Sequence, residues 1–175
     1  MSVQTSIRSL PRDLGTVALP STRALLVRAA EALGSRPELW QPLVRFDADE
    51  RYFTRIPQRL AIPGGFEAWL LTWLPGQGTG WHDHGGSAGA VAVVSGTLAE
   101  YLLVGSEVAP LERGDMRPGQ VRAFGAQHRH EMVNIGAEPA VSIHVYAPEL
   151  TSMTRYRLDG ARLVPTEIDR RGRDW

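Results

Sequence analysis

The chain has 175 residues, 43% hydrophobic and 22% charged, enough to bury one core in a single globular domain. Lys+Arg and Asp+Glu both number 19, so the net charge is near zero and nothing favours a nucleic acid or an anionic membrane as partner. There is no cysteine, which excludes disulfides, thiolate metal ligands and a cysteine nucleophile, so any metal must be held by His, Asp, Glu or other oxygen groups.

The N-terminal stretch MSVQTSIRSLPRDLG lacks a basic start followed by a long apolar run, and no later run reaches membrane-spanning length, so a cytoplasmic protein is expected. Ser21 can cap the helix STRALLVRAAEALGS, in which Leu25, Leu26, Ala29, Ala30 and Leu33 form an apolar stripe and Gly34 supplies the stop. A second, short helix in SRPELWQPLVRF is interrupted by Pro42. From about Tyr52 short β-rich runs alternate with Gly/Pro turns: residues 66–74, 90–96, 97–104, 120–124, 130–135 and 140–147. Asp159-Gly160 marks a hairpin near the end. The expected fold is mainly β: a helical N-terminal extension over residues 1–50, packed on a β-barrel over residues 51–175.

His82-Asp83-His84 lies just after a glycine-rich turn. On a strand, residues i and i+2 project to one face, so His82 and His84 would point together and Asp83 away. A second pair, His128 and His130, lies far along the chain, and His144 stands in VSIHVYAP. One His-x-His pair is ordinarily a polar strand edge. Four of the five histidines in two such pairs favour a metal site, brought together in the mouth of a barrel.

His82-Asp83-His84, four residues, Gly89, six residues and Gly96 resemble the first cupin motif, and His130 with Asn134 resembles the end of the second. Most cupins have a glutamate ligand where Gly89 stands, and the usual Pro-x-Gly before the second motif is absent. More narrowly, HDH without the glutamate, the tail EPAVSIHVYAP over 138–148 and FTR over 53–55 resemble the type I cysteine dioxygenase family of cupin thiol dioxygenases, in its bacterial form. The likeness runs from about Tyr52 to Pro148.

The resemblance implies a cupin, double-stranded β-helix barrel and one Fe(II) per chain on His82, His84 and His130. Three neutral imidazoles leave the full metal charge for a substrate thiolate, whereas most such oxygenases use two His and one carboxylate. Gly89 would leave room beside the metal. The expected product is a sulfinate, with both oxygen atoms of O2 on sulfur. His128 is read as a rim or loop residue, because the family spacing to Asn134 selects His130. Ser142, His144 and Tyr146 alternate on one strand and resemble the family's catalytic relay, and Trp73 is expected to pack beneath. Arg55 is the residue expected to bind the substrate carboxylate; Arg51 and Arg59 stand close enough to share that candidacy. The tyrosine–cysteine cross-link of animal members is impossible here.

The partners expected are therefore a small thiol, most simply L-cysteine, and O2, with neither nucleic acid nor membrane, in a monomer or small homo-oligomer. Rival readings are a dioxygenase for 3-mercaptopropionate or another thiol, a cupin isomerase or hydrolase using Zn or Mn, and a non-catalytic cupin that binds a metal or small molecule. The last lacks support from any basic patch or DNA-binding segment.

Overall fold

The computed structural model describes residues 21–57, 65–103, 111–160 and 162–173. In chain order the helices are α1 (Thr22–Gly34) and α2 (Pro37–Trp40), the latter running into a 3-10 turn at Gln41–Leu43. The strands are β1 (Phe53–Arg55), β2 (Glu67–Trp73), β3 (Trp81–His82), β4 (Ala88–Ser95), β5 (Leu98–Leu103), β6 (Leu111–Met116), β7 (Val121–Phe124), β8 (His130–Asn134), β9 (Ala140–Ala147), β10 (Ser152–Asp159) and β11 (Arg162–Arg170). No helix among the described residues is long and apolar enough to cross a membrane.

Local chemistry explains the helical segment. The Ser21 hydroxyl accepts from the Ala24 amide at 3.3 Å and caps α1. Pro37 starts α2, and Pro42 falls in the 3-10 turn that ends it. The expected strands are all present. Three more were not legible: β1 and β3 are three and two residues long, too short to show alternation, and half of the β6 sequence, LERGDM, is charged.

All pairings are antiparallel and build two sheets, ordered β1-β2-β9-β4-β7 and β11-β10-β3-β8-β5-β6. The five-stranded sheet is covered on both faces. One face carries Ala68, Leu70, Ala90, Ala92, Ile143 and Val145, which pack with Leu26, Ala29, Ala30 and Leu33 of α1. The other carries Leu71, Trp73, Val91, Val93 and Tyr146, which pack with Leu98, Met116 and Met132 of the second sheet. This is why β9 is buried along nearly its whole length: its odd-numbered residues serve the helix face, and its even-numbered residues face the space between the sheets. Arg23 fixes the helix end by donating to the Ala123 carbonyl at 2.8 Å.

Leu26 is 1% exposed at the centre of the α1 contact. Leu26→Ala should lower the unfolding free energy by about 2–5 kcal/mol, whereas Arg28→Ala on the exposed side should change it by less than about 0.5 kcal/mol, both read from denaturant titrations.

Candidate metal centre and cavity

His82 pairs with His130 across β3 and β8, which puts both imidazoles on one face of the second sheet. His84 does not share a strand with His82, contrary to the sequence expectation, because β3 stops at His82 and the chain turns through Gly85 and Gly86 at φ +56° and +92°. Asp83 holds that turn against β10, its amide donating to the Thr154 carbonyl at 3.0 Å. Its Oδ1 accepts from the amides of Thr154 at 2.9 Å and Gly85 at 3.0 Å, and its Oδ2 from the Tyr156 hydroxyl at 2.7 Å. The His84 ring is thereby delivered between the sheets. The three ring centroids are 4.9, 4.8 and 5.0 Å apart, close to an equilateral triangle. One ring nitrogen from each lies within 4.8 Å of the others.

Hydrogen bonding sorts the nitrogens. His82 Nδ1 lies 3.0 Å from the Gly80 carbonyl, and His130 Nδ1 lies 2.7 Å from Glu100 Oε1, so each donates there and leaves its Nε2 lone pair free. His84 is wholly buried, and neither of its ring nitrogens has a partner. A buried imidazole without partners is costly, and a metal ion shared with His82 and His130 would satisfy it. The donor set therefore fits a metal. Burial first, and then the neighbouring imidazoles, push the His82 and His84 pKa values well below 6.5, and burial also lowers that of His130. All three lone pairs stay available at neutral pH.

His128 lies in the loop before β8, with Nε2 2.9 Å from Glu100 Oε1. Asn134 sits outside the histidine cluster. It donates to the carbonyls of Trp73 at 3.1 Å and Glu138 at 2.9 Å, and accepts from the Gly136 amide at 2.9 Å, so it closes the turn that joins β8 to β9. Gly89 does not leave room beside the histidines. A Cβ there would lie 2.5 Å from the Phe124 ring, which stacks on His84 at 4.6 Å.

Beside the histidines is a cavity of about 160 Å³. His82, His144, Tyr146, Thr79, Arg51, Arg155 and Asp169 form its polar wall; Phe53, Trp69, Leu71, Leu150 and Met153 form the rest. Ser142, His144 and Tyr146 of β9 are linked in a line. The indole of Trp73 donates to Ser142 Oγ at 2.9 Å. The buried Ser142 hydroxyl then has His144 Nε2, at 2.9 Å, as acceptor for its own proton. In neutral His144 the other proton is on Nδ1, which lies 3.3 Å from the Tyr146 oxygen. Tyr146 accepts there and keeps its own proton to donate into the cavity. Burial raises the Tyr146 pKa, so the phenol stays protonated.

Arg55 has a carboxylate of its own. Its Nη2 lies 2.6 Å from Glu67 Oε2, its guanidinium rests over Trp69 at 5.1 Å, and it is not among the residues that line the cavity. Arg59 lies outside the described residues. The cavity guanidiniums are Arg51 and Arg155. Arg155 is paired with Asp169 at 2.6 Å and donates to the Thr79 carbonyl at 3.0 Å. Arg51 stacks over Trp73 at 5.0 Å and donates to the Gly78 carbonyl at 2.8 Å, and its Nε is buried without a partner. Burial, then the charge of Arg155, lower its pKa to about 10. Sequence reasoning missed Glu100, 2% exposed in the apolar run of β5, and the cavity role of Arg155. A lone carboxylate in TLAEYLLV was the available signal for Glu100; nothing local marked Arg155.

An antiparallel two-sheet barrel that gathers three histidines from these two motifs between its sheets is a cupin. Solved structures share the fold: a Thermus thermophilus protein (TM-score 0.52, 23% identity, 62% of this chain and 93% of that one), and a Klebsiella pneumoniae protein with a double-stranded β-helix domain (TM-score 0.52, 19% identity, 73% and 93%). Within the cupins, the family cysteine dioxygenase type I matches residues 21–158, and the chain belongs to it. Curated relatives include cysteine dioxygenase type 1 of Danio rerio, 29% identical over 131 residues, and of Homo sapiens, 30% identical over 125 residues. The matches take in 70% and 67% of this chain but only 63% and 61% of those proteins.

The folded-state pKa of His144 is pushed down to about 3, chiefly by burial and then by electrostatic coupling to His130 and the charge of Arg51, while the unfolded chain titrates near the ordinary 6.5. Below the unfolded value the unfolded state binds a proton that the folded state refuses, so stability falls as the pH drops from 6.5 toward 3. The three clustered histidines act in the same direction. Denaturant midpoints of metal-free protein should decline steadily over that window, and His144→Gln should make the decline shallower.

Proposed function

We propose that this protein is an Fe(II)-dependent thiol dioxygenase that converts a small thiol acid, L-cysteine in the first instance, to its sulfinate with O2. The observation that carries the reading is His84, buried with both ring nitrogens unpartnered at the corner of a triangle of imidazoles beside a small cavity. His82, His84 and His130 would hold the metal. Bound there, Fe(II) would supply open coordination positions and the electrons that activate O2. The histidine set is neutral, so the site favours a ligand that brings negative charge, as a thiolate does.

The protein's own groups position the substrate. Tyr146 would donate its hydrogen bond to a ligand in the cavity, oriented by the line Trp73, Ser142 and His144. Arg51 suits the substrate carboxylate better than Arg55, because its Nε is buried without a partner whereas Arg55 already holds Glu67. The apolar wall of Trp69, Leu71, Leu150 and Met153 limits the substrate to a short carbon chain.

A second reading, 3-mercaptopropionate, draws on Asp169. This acidic side chain of the cavity is engaged by Arg155, which leaves the substrate amine without a carboxylate partner among the described lining residues. The amine of cysteine would then gain only what the metal offers it.

Oxygen uptake by iron-loaded protein, with sulfinate identified by mass, should be fast with cysteine or 3-mercaptopropionate and poor with cysteamine, which has no carboxylate. Arg51→Ala should lower kcat/KM for the acids by about a hundredfold and leave cysteamine unchanged. Equal loss on all three thiols would remove Arg51 from recognition, and no uptake with any thiol would refute the proposed activity.

Tyr146→Phe removes the proposed hydrogen bond while keeping the ring. It should reduce kcat about tenfold or more with unchanged iron content. An unaltered kcat would reduce Tyr146 to a packing residue.

A further inference from the structure

Among the described residues, the buried carboxylate that touches the histidine cluster is Glu100, and neither the line of Ser142, His144 and Tyr146 nor the cavity uses it. Its position is built from three directions. On β5 it faces Gly114 of β6 and Met132 of β8. Its Oε1 accepts from His130 Nδ1 at 2.7 Å and from His128 Nε2 at 2.9 Å. Its Oε2 accepts from Arg122 Nη1 at 2.5 Å. Gly114 makes the last contact possible: a Cβ there would lie 2.7 Å from Arg122 Nη1. Gly89, meanwhile, offers no ligand, and the Phe124 ring fills the space where a side chain would begin.

We propose that Glu100 is a positioning residue for the metal centre, whose carboxylate supplies through the His130 imidazole the negative charge that no residue at position 89 can supply directly. The inference rests on the metal-binding reading given above. A carboxylate hydrogen-bonded to the far nitrogen of a ligating histidine fixes the ring's tautomer and orientation and makes the near nitrogen more basic. Here it leaves His130 Nε2 as the ligating atom. Arg122 opposes the effect, because it draws charge toward Oε2 and away from the His130 side. Glu100 and Arg122 therefore act on the metal with opposite signs, and only Glu100 does so through a hydrogen bond to His130 itself.

The test uses the full chain loaded with Co(II) or Fe(II) alone, without any thiol. Metal affinity is measured by chelator competition, and the Fe(III)/Fe(II) midpoint potential by redox titration. Glu100→Gln keeps the shape and removes the charge; it should weaken affinity by about 10–100-fold and raise the potential, since the oxidised metal loses the nearby anion. Arg122→Met should move the potential downward. A folded Glu100→Gln with unchanged affinity and potential overturns the proposal, as do two variants that shift the potential in the same direction. If Glu100→Gln does not fold, Arg122→Met decides alone: a downward shift supports the proposal, and an unchanged or raised potential overturns it. Failure of the wild type to oxidise thiols counts against the proposed function only, whereas a wild type that binds neither metal overturns both.

Discussion

An imidazole without a hydrogen-bond partner cannot be buried cheaply, and His84 is buried with both nitrogens free. Much of the surrounding structure holds it there. Asp83 pins its turn to β10, Phe124 covers its face, and His82 and His130 approach from the neighbouring strands. Evolution could satisfy such a group with one serine or carbonyl. Instead a ring nitrogen of His84 lies within 4.8 Å of one from each of two more imidazoles, an arrangement that makes sense once a cation is shared among them.

The second requirement is rigidity in the strand that carries the hydrogen-bonded line of Ser142, His144 and Tyr146. β9 is central to its sheet, flanked by β2 and β4 and covered by α1 on one face. Val141, Ile143 and Val145 lock it against the helix side, so Ser142, His144 and Tyr146 have little freedom on the other. The N-terminal helix thus supports the candidate site from behind: its apolar stripe keeps β9 dry and fixed.

Electrostatics in the cavity follows from the same burial. Two guanidiniums, Arg51 and Arg155, face a set of imidazoles with depressed pKa values. Neutral imidazoles avoid mutual repulsion and repulsion from the arginines, and the positive charge that remains can attract an anion into the cavity. The buried carboxylates Glu67 and Glu100 sit outside the cavity lining, each bound by its own donors: Arg55, Arg171 and the Leu150 amide for one, His128, His130 and Arg122 for the other. The carboxylate that does line the cavity, Asp169, is paired with Arg155, which leaves Arg51 as the cavity cation without an acidic partner among the described lining residues.

Local periodicity made much of this legible without coordinates. The stripe Leu26, Ala29, Ala30 and Leu33 declares a helix with one buried side, because residues three and four apart share a face. The alternation in AVSIHVYA sets Ser142, His144 and Tyr146 on one side of a strand, whereas His82 and His84 come together by a turn after β3 rather than by strand alternation. The cysteine-free composition restricted any metal to nitrogen and oxygen donors. Other features depend on which strands become neighbours, and no local pattern carries that information. Glu100 reaches His130 only because β5 pairs with β8, and Arg155 reaches the cavity only because β10 pairs with β3. The space beside Gly89, open when read along the chain, is filled by Phe124 from the adjacent β7. Of Arg55 and Arg51, four residues apart, the first meets Glu67, which arrives from β2, and the second keeps a buried Nε without a partner. Sequence spacing sets the face on which a side chain emerges; cross-strand register, a property of the assembled sheets, sets what it meets there.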